Sequence, residues 1–182
     1  MGSGDDATDI PPGSDDAVIR VVWGTATGPT ALAAYDAALA EAGVENYNLV
    51  AVSSIAPAKA AVEPVDTAPD LGPAGNRLTV VESSVTVGGD EDAARGREVP
   101  ERGSAGLAWA TGAGPGLFYE VAGEFDEAEC SRRLATGLAA GRELRDWTFD
   151  ESGERIVAVE APEEGYASAV VLGVYGESEP IL

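Results

Sequence analysis

A chain of 182 residues, 45% of them apolar, has the size of one domain with a sizeable core rather than two. Its formal charge of −21, from 32 acidic residues against 11 basic ones, argues against nucleic-acid and anionic membrane-surface partners. It contains no His, and Cys130 is its only cysteine, which excludes Ser-His-Asp and Cys-His catalysis, His-ligated zinc sites and intramolecular disulfides.

Ten of the eleven basic residues are Arg, and Lys59 is the only lysine. The acidic residues recur between apolar runs along the whole chain instead of forming one tail. That pattern reads as adaptation to concentrated salt, where screening shrinks self-repulsion. No apolar run reaches the roughly 18 residues a membrane helix needs. The N-terminus lacks the apolar stretch of a secretory signal, so a cytoplasmic protein is expected.

Residues 1–16, rich in Gly, Pro and Asp, read as a disordered acidic leader ahead of a domain spanning 17–182. Residues 17–23 (AVIRVVW) are β-branched and predict a buried strand. The small-residue stretch 24–30 (GTATGPT) reads as a loop leading into a helix over 29–42, with Pro29 in the first helical position and Gly43 as the stop. Leu32, Tyr35, Leu39 and Ala42 supply the apolar stripe of that helix. Asp36 falls one turn after Leu32, beside the stripe, where a lone carboxylate is ordinarily solvated.

A second strand is expected over 47–52 (YNLVAV), carrying Asn48 and running into the pair Ser53–Ser54. Such a pair, taken alone, is an ordinary turn dipeptide. Residues 62–76, rich in Pro and Asp, read as irregular, 78–87 as a strand, and 88–103 as a charged surface loop. Strands near 107–111 and 116–122 follow. Glu120 sits in the second of these, in GLFYEVA, whose faces are both apolar. A carboxyl there must be paired, exposed at an edge, or protonated.

A helix over 126–145 begins with acidic residues and carries Arg142 and Arg145 in its last turn, matching the helix dipole. Cys130 within it reads as a small apolar filler. Residues 155–159 and 166–175 close the chain as strands. Strands outnumber helices and separate the two strong ones, which predicts an α+β domain of sheets covered by helices.

Three stretches taken together carry more than any motif alone. GTATGPTALAAYDAALAEAG (24–43), NYNLVAVSSIAPAKA (46–60) and GPGLFYEVAGEFDEAEC (114–130) are similar, in order and spacing, to the pyruvoyl-dependent arginine decarboxylase family. The likeness runs from about Val18 to Tyr175, and NLVAVSSIAP is its specific core. The resemblance implies an αββα sandwich, a single domain cleaved into chains 1–53 and 54–182, and a homotrimer with active sites between subunits.

It also implies that the backbone is cut between Ser53 and Ser54. The Ser54 hydroxyl attacks the Ser53 carbonyl, and elimination and loss of ammonia turn Ser54 into a covalent pyruvoyl group. That carbonyl condenses with the α-amine of L-arginine and draws electrons as CO2 leaves, yielding agmatine. By position, Glu120 matches the family's proton donor, Asn48 an amide near the reaction centre, and Asp36 the partner of the substrate guanidinium. The stretch 24–30 would shape the pocket through close backbone approach. Pyridoxal phosphate would instead need Lys59 as its anchor. The alternatives left open are another amino acid as substrate on the same self-cleaving fold, and a non-catalytic binding or structural descendant.

Overall fold

The computed structural model describes residues 18–89 and 100–182. The expected leader over 1–16, and most of the charged loop expected over 88–103, lie outside the described residues. Among the described residues, two helices and two sheets form a single α+β domain. No helix among the described residues is long and apolar enough to cross a membrane.

The first strand, β1 (Val18–Gly28), does not stop at Trp23 as expected. It continues through the Gly/Thr stretch, pairing residue for residue with the last strand, from Gly24 opposite Val170 to Gly28 opposite Tyr166. The two glycines are there because helix α1 (Ala31–Ala42) lies directly across them. A Cβ on Gly24 would come 2.1 Å from the Ala38 carbonyl oxygen, and one on Gly28 would come 2.5 Å from the Ala34 nitrogen. Glycine inside a strand marks close backbone approach here, not a loop.

That approach also decides which face of α1 is buried. Ala34, Ala38, Leu39 and Ala42 face inward, while Leu32 is 75% exposed. The stripe is thus turned away from Leu32, because a large side chain would hold the helix off the glycines. Thr30 is the N-cap, its Oγ1 accepting from the Ala33 N–H at 3.1 Å, so Pro29 precedes the cap instead of opening the helix. Gly43, at φ 78°, ends it in the left-handed region.

Strand β2 (Asn48–Ala51) and the two-residue β3 (Ile55–Ala56) follow. The segment expected to be irregular contains β4 (Ala61–Asp66), parallel to β1 with Val18 opposite Ala61. It lies at the edge of its sheet, where Pro64 and the acidic residues are tolerated. The long strands β5 (Arg77–Gly88) and β6 (Arg102–Thr111) lead to β7 (Gly116–Gly123). Helix α2 (Glu127–Glu143) is capped by Asp126, with Glu127 and Glu129 in its first turn and Arg142 in its last. Arg145 lies beyond its end and donates to the Gly141 carbonyl at 2.6 Å. Strands β8 (Glu151–Glu160) and β9 (Tyr166–Tyr175) complete the domain.

One sheet has the order β2-β5-β9-β1-β4 and the other β3-β7-β6-β8. Ile19, Val21, Val81 and Val171 of the first sheet share a core with Leu107, Trp109 and Phe118 of the second. Ala38, Leu39 and Ala42 of α1 pack with Val22, Leu78 and Leu172. Under α2, Leu134 and Leu138 pack with Ala108 and Leu117. Cys130 is buried in that last cluster, and burial, with Glu154 adding to it, pushes its thiol up to about 11. It is an unreactive apolar filler there.

Candidate active site

The Ser53–Ser54 pair is the point at which the chain changes sheets. Strand β2 pairs with β5, and the Val52 N–H still reaches the Val80 carbonyl at 3.0 Å. Three residues later β3 pairs with β7, Ile55 opposite Leu117. A crossing this short holds the two serines at the edges of both sheets.

Its backbone groups are spent locally. The Ile55 N–H donates to the Ser53 carbonyl at 2.7 Å, folding a tight turn about Ser54. The Phe118 N–H donates to the Ser54 carbonyl at 2.8 Å. The Ser54 hydroxyl lies 2.7 Å from both carboxylate oxygens of Glu120 and, having one proton, serves one of them at a time.

Glu120 owes its place to strand alternation. Phe118, two residues earlier, points into the core between the sheets. Tyr119 points the other way, onto α2, where a Cβ on Gly137 would come 2.0 Å from its ring. Glu120 is paired with the Ser54 hydroxyl and exposed, not enclosed by the apolar residues that flank it in sequence. Burial along β7 ends at Phe118, and both Tyr119 and Glu120 are exposed.

A cavity of about 500 Å³ opens at this point, and Ser53, Ser54, Leu117, Glu120, Leu144 and Arg145 are among the residues lining it. Asn48 and Asp36 are not. Asn48 is exposed at the start of β2, and its side-chain amide donates to the Gly75 carbonyl at 2.6 Å. Asp36 is exposed on α1. The chain therefore brings Ser53, Ser54 and Glu120 together and leaves Asn48 and Asp36 apart from them. Nor does the 24–30 stretch shape this cavity, because its glycines seat α1 instead. Lys59 is exposed in the turn between β3 and β4, at φ 62°, outside the cavity.

Tyr175 was not foreseen. It ends β9, donates its hydroxyl to the Ile55 carbonyl at 3.1 Å, and packs its ring 6.2 Å from that of Phe118. Burial, and then the Glu120 charge, push its hydroxyl up to about 12, so it stays a donor at neutral pH. Its one sequence signal is a tyrosine closing an apolar strand just before Gly176.

Comparison with known proteins bears on this arrangement. The family model described as pyruvoyl-dependent arginine decarboxylase matches residues 18–180. The chain belongs to that family. A pyruvoyl-dependent arginine decarboxylase of Halobacterium salinarum is 51% identical over 164 residues, covering 90% of this chain and 96% of the relative. That of Pyrococcus furiosus is 30% identical over 154 residues, covering 82% and 87%. That of Thermococcus sibiricus is 28% identical over 156 residues, covering 81% and 90%.

The family's name implies a covalent pyruvoyl group, and the residues present fit one derived from Ser54. Its hydroxyl has a carboxylate acceptor, the preceding carbonyl has an N–H donor, and its own carbonyl has a second one.

Proposed function

We propose that this chain cuts itself between Ser53 and Ser54 and then decarboxylates L-arginine to agmatine and CO2. The observation that carries the reading is the Ser54 hydroxyl held 2.7 Å from Glu120 where the chain crosses between sheets. In the uncut chain Glu120 takes the Ser54 proton, and the oxygen so freed attacks the Ser53 carbonyl carbon. Negative charge gathers on the Ser53 oxygen, which already accepts from the Ile55 N–H at 2.7 Å. The C–N bond breaks, leaving Ser53 as an ester on Ser54 and a free amine at residue 54. Elimination expels Ser53 as a carboxylate. Water then replaces the nitrogen at residue 54 as ammonia, leaving the ketone of a pyruvoyl group.

That group supplies the electron-withdrawing carbonyl needed for CO2 to leave an attached amino acid. The Phe118 N–H keeps its hydrogen bond to the carbonyl of residue 54. Glu120 delivers a proton to the α-carbon once CO2 has gone. Asp36 grips the substrate guanidinium through paired hydrogen bonds, and Asn48 binds near the reacting carbon.

Because neither Asp36 nor Asn48 lines the cavity around Ser54, a neighbouring copy is needed to complete the site. This supports a homotrimer with sites between subunits. Val50, Val52, Ile55 and Leu144 are exposed apolar side chains near the serine pair, in keeping with such a contact. The same contact would cover Glu120. The three separate cores support an αββα layering, with 17–182 as the domain and 1–16 as a leader in a cytoplasmic enzyme.

Intact mass of the purified protein tests the reading. We expect fragments 1–53 and 54–182, the second blocked at its N-terminus. Ser54→Ala should remain whole and inactive. An active preparation made only of uncut chain would overturn the proposal.

A further inference from the structure

Strand β3 is only two residues long and lies at the edge of its sheet. On its inner side β7 fixes it, through the pairing of Ile55 with Leu117 and Ala56 with Gly116. On its open side no strand among the described residues fixes it, yet the turn that presents the Ser53 carbonyl depends on the direction of the Ile55 N–H. Among the described residues, one group reaches that side from elsewhere in the fold. The Tyr175 hydroxyl, from the end of β9 in the other sheet, donates to the Ile55 carbonyl at 3.1 Å.

Tyr175 is itself well anchored. It pairs with Ile19 across β1, and its ring packs 6.2 Å from that of Phe118, whose N–H holds the Ser54 carbonyl. The inference rests on self-cleavage at Ser53–Ser54. We propose that Tyr175 is a positioning residue for that cut: by holding the Ile55 carbonyl, it aims the Ile55 N–H at the Ser53 oxygen as the Ser54 oxygen attacks. Its part lies in the first step, in which the Ser54 O–C bond forms and the Ser53–Ser54 C–N bond breaks. It donates no proton to a reacting atom.

Tyr175→Phe keeps the ring against Phe118 and removes only the hydroxyl. Full-length chain made by cell-free synthesis in molar salt, followed by intact mass over time, should show cutting slowed roughly tenfold, the worth of one oriented hydrogen bond. Hydroxylamine distinguishes the steps, because it severs the Ser53–Ser54 ester and leaves an unblocked Ser54. If the first step is the one impaired, hydroxylamine leaves the variant slow.

Melting is compared in a Ser54→Ala background, where both proteins stay whole, and the tyrosine and phenylalanine forms should unfold at similar temperatures. Unchanged cutting in Tyr175→Phe would overturn the proposal, as would rescue by hydroxylamine or a large fall in melting temperature. If the unsubstituted chain itself is never cut, the self-cleavage reading fails instead.

Discussion

With both carboxylate oxygens 2.7 Å from the Ser54 hydroxyl, Glu120 is placed for the two proton transfers proposed for it, which are separated in time. On the proposed reading it accepts one before the cut and delivers one in every later turnover. Glu120→Gln keeps the shape and can still accept a hydrogen bond from Ser54, but it cannot take up a proton. Cutting should slow without stopping. Turnover of the cut fraction should fall by roughly 10²–10⁴, the usual worth of a positioned acid. The rate is to be expressed per reactive carbonyl, counted by borohydride trapping of arginine, so that the two effects separate. Wild-type turnover per carbonyl would assign the proton to another group.

That Ser53, Ser54 and Glu120 lie together was legible in the sequence because each sits inside a short, recognisable stretch. Tyr175 was not, because it meets Ile55 across 120 residues and at the seam between two sheets. Nothing in the spacing of either residue announces the other.

Elements were legible where hydrophobic periodicity set them. Strand β9 has the expected limits, and α2 ends within two residues of those expected. Reading failed where small residues served packing. The glycines of β1 look like loop signals, and the alanines of α1 look less apolar than Leu32, yet the two sets meet each other. The contact can be tested directly. Gly24→Ala places a methyl against the Ala38 carbonyl and should cost about 1–3 kcal/mol of stability in urea unfolding. Gly114, with no atom near an added Cβ and no positive φ, is the control, and Gly114→Ala should change stability by less than about 0.5 kcal/mol. Equal stabilities for the two variants would mean that α1 can slide off β1 without loss.

At the scale of the whole molecule, charge dominates. Three ion pairs join the described residues: Arg77 with Glu179, and Arg132 and Arg133 both with Glu129. Mostly exposed pairs of this kind contribute little, and the net charge of −21 acts as self-repulsion. The Debye length shrinks from about 10 Å at 0.1 M salt to about 3 Å at 1 M, so added salt should raise the melting temperature through the molar range. A melting temperature that stays flat over that span would argue that the charges are spaced too widely to matter. Size and single-domain character were legible from length and composition. The separation of Asp36 and Asn48 from Ser54 was not, because sequence neighbours give no measure of distance across a fold.

Strand β1 lies between β9 and β4, and β2 lies against β5. Among the described residues, every strand partner of the segment before Ser54 therefore belongs to the segment after it. With the peptide link cut as proposed, the fold would be a heterodimer woven through one sheet. Its halves cannot part without dismantling the centre of that sheet, and once parted they must find each other by diffusion. Refolding becomes second order, so its yield falls with dilution while the uncut chain refolds alone. The proposed cut would exchange reversible unfolding for chemistry. What holds it together afterwards is slow escape from the folded state.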